Sequence, residues 1–266
     1  MDASLWGKLM YRPSDEVIDP RLESLINKAF KNQWSIDTAI DWSLEPIIPE
    51  GIERAMYIDM VSQLYYSEEA TIALLGRMLQ ELPSLQAKRY LCTQAADESR
   101  HAQAYRAYLE RLGDIAPINE GLRAIFEAGL TWSGEPCAMI VALNVVLEGE
   151  ALKQQHKRIE TLPCPLFKQV NQAIVPDEAR HAAFGQIYLK SHLKTVSDDD
   201  KRAILMWIAG LWKLWGQANE GRYQPDATNP AAAVLQTPPD ELRERWEDRR
   251  KVFEDIGLDP SLLTRS

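Results

Sequence analysis

Two pentads, DESRH at 97–101 and DEARH at 177–181, stand 80 residues apart in this 266-residue chain. In each, a glutamate precedes a histidine by three positions, about one helical turn, so both side chains leave one face toward a single small object. A metal ion suits that geometry. The same offset of 80 links Glu68 to Glu148, and each of these lies 30 residues before the glutamate of its own pentad. Both halves therefore read Glu, then Glu-x-x-His. A long helix, a short turn and an antiparallel return bring the first glutamate of each half level with the motif on the next helix.

Each lone glutamate has an acidic neighbour that competes for the role, Glu69 in the first half and Glu150 in the second. Helical faces decide between them. Glu68 shares its face with Val61, Leu64, Tyr65, Thr71, Ile72, Leu75 and Leu79, whereas the face of Glu69 includes Ser62, Gly76 and Gln80 as well as apolar Tyr66. Glu148 lines up with Val141, Val145, Ala151 and Leu152, and Glu150 with Lys153, Gln154 and Lys157. The candidate ligands, which are also the candidate catalytic residues, are therefore Glu68, Glu98, His101, Glu148, Glu178 and His181. Four carboxylates meeting in a helical core need cations, because an unpaired buried charge costs several kcal/mol even after relaxation. Two divalent ions meet that need. The mixed carboxylate and imidazole set suits iron or manganese better than structural zinc, with two irons the first choice and a manganese–iron pair compatible with the same donors.

A single Glu-x-x-His on a helix is usually a surface coincidence; the matched second copy is what gives the pattern its specificity. Asp97 and Asp177 read either as solvated charges or as acceptors for the outer ring proton of each histidine. Arg100 and Arg180 read as salt-bridge partners of nearby acids.

The rest of the chain is helical in pattern. Breakers at Pro83, Gly113, Gly134 to Pro136, Pro163 with Pro165, and Ser197 delimit long helices at about 51–82, 84–112, 136–161 and 165–194. A shorter helix is predicted near 118–131, another after Ser197, and a charged one at about 239–256. Before residue 50, short periodic pieces interrupted by prolines read as an extension packed on the bundle, and 221–239 is loop-like. Pro176, two residues before Glu178, should kink its helix beside the metals. The expectation is an all-α protein of one domain, a four-helix bundle with extra N- and C-terminal helices.

Three cysteines without a CxxC pair argue against a disulfide framework or thiolate site. No basic head precedes an apolar run at the N-terminus, and no stretch approaches the roughly 18 apolar residues of a membrane span. The reading places the chain in the cytoplasm with no membrane partner. A formal net charge of −9 disfavours nucleic acid.

One helical glutamate followed by DExRH, then the same again, resembles the ferritin-like superfamily of di-iron carboxylate proteins over about residues 55–190. The pattern is most similar to the branch holding multicomponent monooxygenases, ribonucleotide reductase small subunits and di-iron oxygenases. The segment NQWSIDTAIDW also resembles the lead-in of p-aminobenzoate N-oxygenase-like proteins, which carry an extra histidine where this chain has Ile174. The resemblance implies that Glu98, His101, Glu178 and His181 ligate the irons, with Glu68 and Glu148 terminal or bridging. Tyr105, four residues after His101, occupies the spacing of the radical tyrosine in ribonucleotide reductase small subunits; a packed core tyrosine is the plainer reading.

The leading functional expectation is a non-haem di-iron oxygenase. It would activate O2 to oxidise a small organic substrate, at nitrogen or carbon, in an apolar pocket walled by Leu64, Tyr65, Thr71, Ile72, Val141, Asn144, Val145 and Phe184. An external electron donor, a reductase or ferredoxin, would supply reducing equivalents, and a homodimer is an admissible assembly. Three other readings stay open at this point: a ferroxidase or peroxide-scavenging protein like ferritin or rubrerythrin, a radical generator using Tyr105, and a metal-free helical scaffold.

Overall fold

The structure, a computed structural model, describes residues 18–219 and 239–263. Among the described residues all regular structure is helical, in nine helices and a short 3-10 helix at Pro260–Leu263. They are α1 Pro20–Lys31, α2 Ile36–Ala39, α3 Arg54–Glu81, α4 Leu85–Leu112, α5 Glu120–Thr131, a composite α6, α7 Pro165–His192, α8 Asp198–Asn219 and α9 Pro239–Ile256. The composite α6 joins a helical turn at Cys137–Ile140, a π-helical stretch at Val141–Leu147 and a regular α-helix at Glu148–Thr161. The loop-like stretch before α9 lies outside the described residues.

Local chemistry explains where these helices begin and end. Ser84 Oγ accepts the Ala87 N–H at 3.1 Å and so caps α4. Gly113 closes the same helix at φ +84°, a left-handed conformation that glycine adopts without a Cβ clash. Asn119 caps α5 by accepting from the Gly121 and Leu122 amides. Pro165 opens α7 in the first turn, where its missing N–H is no loss. Ser197 Oγ accepts the Asp200 N–H at 3.1 Å, and three aspartates sit at the positive end of α8.

The four long helices form two antiparallel hairpins, α3 with α4 and α6 with α7, and α4 packs against α7 where the hairpins meet. α1 lies across α4 and α7, so this described part of the chain before residue 50 packs on the long helices. Two apolar layers divide the interior. One holds Leu75, Met78, Tyr90 and Phe184, the last two rings stacked at 4.2 Å. The other holds Tyr57, Tyr105, Tyr108, Phe167 and Ile174. On α3, α4 and α7 alike the buried acids and histidines fall between residues of one layer and residues of the other. Burial of large apolar side chains, at about 1.5–3 kcal/mol each, offsets the cost of that polar layer.

α7 runs from Pro165–His192 as one helix, with Pro176 inside it. α6 carries an irregularity of its own, a π-helical stretch that ends at the residue before Glu148. Gly185 allows α7 to approach that stretch, since a Cβ there would meet Asn144 Cβ at 2.6 Å. The three cysteines are free, and no helix among the described residues is long and apolar enough to cross a membrane.

Candidate metal centre

Each long helix delivers one of the four candidate glutamate ligands to the polar layer: Glu68 from α3, Glu98 from α4, Glu148 from α6 and Glu178 from α7. All four are buried, and His101 and His181 are fully so. Glu69, the rival of Glu68, is exposed. Glu150, the rival of Glu148, is buried but engaged elsewhere, accepting from Arg245 Nη1 at 3.1 Å and lying 2.9 Å from Arg249 Nε on α9.

Two overlapping donor sets result. Glu68, Glu98, His101 and Glu178 form one, and Glu98, Glu148, Glu178 and His181 the other, with the ligand atoms of each set within 4.8 Å of one another. Glu98 and Glu178 belong to both. Glu98 turns Oε2 toward His101 Nδ1, at 3.3 Å, and Oε1 toward His181 Nδ1, also at 3.3 Å. Glu178 does the converse, Oε1 at 3.4 Å from His101 Nδ1 and Oε2 at 3.0 Å from His181 Nδ1. Glu68 lies only with His101, at 3.6 Å, and Glu148 only with His181, at 3.6 Å. This arrangement suits a pair of cations with two shared carboxylates and one terminal carboxylate and one imidazole each.

The outer nitrogens of the imidazoles are held crosswise. His101 Nε2 is 3.2 Å from Asp177 Oδ2, and His181 Nε2 is 3.2 Å from Asp97 Oδ2. Arg180 pairs with Asp97 at 2.5 Å and with Asp177 at 2.9 Å; Arg100 pairs with Asp97 at 2.5 Å and Asp177 at 3.1 Å. The two aspartates are therefore acceptors for the histidines, as metal-binding imidazoles require, and the arginines balance their charge. Trp34, from the NQWSIDTAIDW segment, donates Nε1–H to Asp177 Oδ2 at 2.8 Å and stacks on His101.

The donor set fits metals on electrostatic grounds. Burial pushes the carboxyls of Glu68 and Glu148 well above their ordinary range, with Glu178 and Glu98 repelling both. Burial opposes ionisation of Glu98 too, but His181 and His101 hold it down at about 2. Burial also opposes charge on the two histidines, and the surrounding carboxylates nevertheless raise both well above the usual imidazole value. Protons thus stand in for cations in this cluster, and His101 Nδ1 is left without a hydrogen-bond partner while facing three carboxylates. Divalent ions would replace those protons.

The family model for "P-aminobenzoate N-oxygenase AurF" matches residues 68–219, more than half of the chain and all six candidate ligands. The chain belongs to the AurF family. No curated protein matches it. Among solved structures it is similar to an R2-like ligand-binding oxidase reconstituted with a Mn/Fe cofactor, with TM-score 0.65, 18% identity, and coverage of 93% of this chain and 89% of the other. The R2-like ligand-binding oxidase from Sulfolobus acidocaldarius gives TM-score 0.66 and 17% identity over 92% and 94% of the two chains. A Bacillus halodurans protein assigned to class I ribonucleotide reductase gives TM-score 0.67 and 15% identity over 93% and 96%. At such identities the likeness establishes the fold, which is ferritin-like. Ile174, where the resemblance implied that such proteins carry an extra histidine, is fully buried in an apolar layer.

A cavity of about 200 Å³ opens beside the four carboxylates. Leu64 and Thr71 line it as expected, but none of the other six anticipated walls, Tyr65, Ile72, Val141, Asn144, Val145 and Phe184, does. Asn144 instead donates to Gln94 Oε1 and to the His181 carbonyl, Phe184 is stacked on Tyr90, and Val141 and Val145 pack in the core. The walls are largely apolar, as expected, with Met60, Leu64, Leu122 and Leu147 among them, but Gln63, Gln154, Gln155 and Arg158 also face this space. An apolar cavity of about 90 Å³ adjoins it, sharing Leu122, Leu147, Glu150 and Trp215.

Sequence reasoning missed Gln94, which donates to Glu98 Oε1 at 3.0 Å and to Glu148 Oε1 at 2.9 Å. Its signal was available, since it stands one turn before Glu98 on the same face. Trp34 offered no comparable signal, being far from the motifs in sequence. Tyr105 is fully buried and donates to Asn171 Oδ1 at 3.1 Å, and burial raises its hydroxyl well above the ordinary value.

Proposed function

We propose that the chain is a di-metal oxygenase in which Glu68, Glu98, His101, Glu148, Glu178 and His181 hold two ions, irons in the first instance. Its substrate is a small organic molecule bound in the adjoining cavity. The observation that carries this reading is the sharing of Glu98 and Glu178 between two donor sets. When bound, the metal pair supplies redox chemistry toward dioxygen that no protein side chain offers.

The chain's own residues prepare the site for that chemistry. Asp177 and Asp97 accept the Nε2 protons of His101 and His181, fixing each tautomer so that Nδ1 faces inward as a donor. Gln94 steadies one oxygen each of Glu98 and Glu148. The apolar layers on both sides exclude water and strengthen every charge interaction between them. Trp34 is half-buried, and its bond to Asp177 forms a continuous contact path from the periphery to His101, which suits electron entry from an external reductase or ferredoxin.

An organic-sized cavity at the carboxylates supports oxygenation over iron storage, which needs no such chamber. The family's name makes an arylamine the first substrate to test, with N-oxygenation the expected outcome. Iron-loaded, reduced protein is mixed with 18O2 and a panel of amines and alkyl compounds, and products are read by mass spectrometry. Incorporation of label into one of them is expected; iron-dependent oxygen consumption with no labelled product from any compound would sink the oxygenase reading.

A further inference from the structure

Outside the di-metal centre, one further group of metal-ligating side chains converges among the described residues: Glu135, Cys137 and His192, whose donor atoms all lie within 4.8 Å of one another. Cys137 opens α6, Glu135 stands two residues before it, and His192 closes α7. His192 is eleven residues beyond His181, roughly 16 Å along the helix axis, so this group is separate from the two donor sets already described.

The donors are held in place by their surroundings. Trp132 donates Nε1–H to the Glu135 carbonyl at 3.0 Å and stacks on Trp207 at 4.6 Å, which fixes the loop entering α6. Gly134 makes room for that indole, because a Cβ there would meet Trp132 Cζ2 at 2.3 Å. The His192 ring stacks on Tyr188, centroids 5.2 Å apart and planes 15° from parallel, and Tyr188 in turn stacks on Phe184. The imidazole Nδ1 is 3.5 Å from the Tyr188 hydroxyl, and Nε2 is 3.3 Å from Glu135 Oε1. Cys137 is fully buried, whereas the His192 and Glu135 side chains keep 20% and 27% of their surface exposed, so an ion can reach the group from solvent.

Burial and the adjacent Glu135 carboxylate push the Cys137 thiol up, with Asp200 acting in the same sense. A divalent ion reverses that effect, since a coordinating thiol gives up its proton outright. One thiolate, one imidazole and one carboxylate make a soft-to-borderline set, which selects zinc over the harder ions that an oxygen-rich site takes. Zinc bonds of about 2.0–2.3 Å at tetrahedral angles set ligand atoms about 3.3–3.6 Å apart, and the His192 to Glu135 separation of 3.3 Å already falls there.

We propose that Glu135, Cys137 and His192 form a second metal site, which takes a single zinc-class ion through three protein ligands and leaves a fourth position open. The ion ties the start of α6 to the end of α7. No CxxC pair announces such a site, because the imidazole arrives from another helix, 55 residues after the thiol. The proposal is independent of the di-metal reading.

Cobalt(II) is the probe, because its bond to a thiolate gives a charge-transfer absorption that carboxylate and imidazole ligands do not produce. The full chain, supplied with ferrous iron under anaerobic conditions to fill the di-metal centre, is titrated with Co2+, and chelator-treated protein is titrated alongside. One equivalent should bring up the thiolate band in both, since the donors of the di-metal centre contain no sulfur, and Zn2+ should remove it. Cys137→Ser should abolish the band, and Cys92→Ser, at an exposed thiol, should leave it. Loss of an outer partner of a ligand costs roughly 10–100-fold in affinity, so His192→Ala should weaken Co2+ binding by at least about ten-fold. Absence of a thiolate band in the unmodified protein overturns the proposal. So does a band that survives Cys137→Ser, which places the ion on Cys92 or Cys164, or one indifferent to His192→Ala, which places it on a thiol alone. If Cys137→Ser does not fold, zinc X-ray absorption of the iron-filled protein decides: one sulfur neighbour at about 2.3 Å is expected, and a shell of oxygen and nitrogen alone overturns the proposal.

Discussion

His101 and Asp177 come from different repeats, 76 positions apart, and their Nε2 and Oδ2 atoms lie 3.2 Å from each other. The mirror contact joins His181 to Asp97 at the same distance. Each repeat thus orients the other's imidazole. Asp177→Asn should weaken metal affinity at the His101 position by roughly 10–100-fold, and Asp97→Asn should do the same at the His181 position. Competition titrations against a chelator check this, and equal weakening of both positions by either substitution would refute the crossed assignment.

The shared carboxylates should behave differently from the terminal ones. Glu98→Ala removes a donor from both sets and is expected to abolish uptake of both ions, while Glu68→Ala removes one donor from one set and should leave about one ion per chain. Elemental analysis of each purified variant gives the count. Two ions retained by Glu98→Ala would mean that it does not bridge.

Chelator-treated protein should have an unusual stability profile. Glu68 and Glu148 are raised above an ordinary 4.5, and both histidines above an ordinary 6.5, so the folded chain holds more protons than the unfolded one as pH climbs past those values. Stability from these groups is present at low pH and lost as pH rises. Glu98, held at about 2, acts oppositely, contributing above 4.5 and losing that contribution as pH falls toward 2. Melting temperature should therefore peak at mildly acidic pH without metal. With metal at 100 times its dissociation constant, stability at neutral pH should rise by about 2.7 kcal/mol per independent site. A chelator-treated protein whose melting temperature increases steadily through neutrality would contradict this account.

Arg249 is expected to be a structural keystone for α9. It lies against Glu150, donates to the Val145 carbonyl at 2.9 Å, and occupies space that only Gly149 leaves open, since a Cβ there would be 2.0 Å from Nη1. Arg249→Ala leaves Glu150 with one fewer partner in a buried position and should cost about 3–5 kcal/mol. Chemical denaturation measures it; a loss below about 1 kcal/mol would show that Arg245 alone satisfies Glu150.

That the six candidate ligands would meet in one buried cluster was legible in the sequence because a repeat of 80 residues and a three-residue spacing both translate directly into helical faces. The long helices were legible for the same reason, with Ser84, Gly113 and Pro165 marking their ends. Contacts between helices left no such trace. That Asp97 serves the histidine of the other pentad, that Trp34 reaches Asp177, and that Phe184 turns away from the cavity all depend on how the hairpins dock. Glu150 shows the limit clearly: it is as buried as Glu148, and only its arginine partners on a distant helix distinguish the two.

The π-helical stretch at Val141–Leu147 gives α6 a surplus residue that α3 does not carry ahead of Glu68. Passing such a surplus along by one turn rotates the residues it crosses by about 100° without moving the ends of the helix. Glu148 stands immediately downstream, so one carboxylate of the four has a built-in means of swinging aside while the other three remain on regular α-helix. The two halves of the centre are alike in their candidate donors and unequal in the helices that carry them, so any shift of backbone register near the carboxylates falls on the Glu148 side.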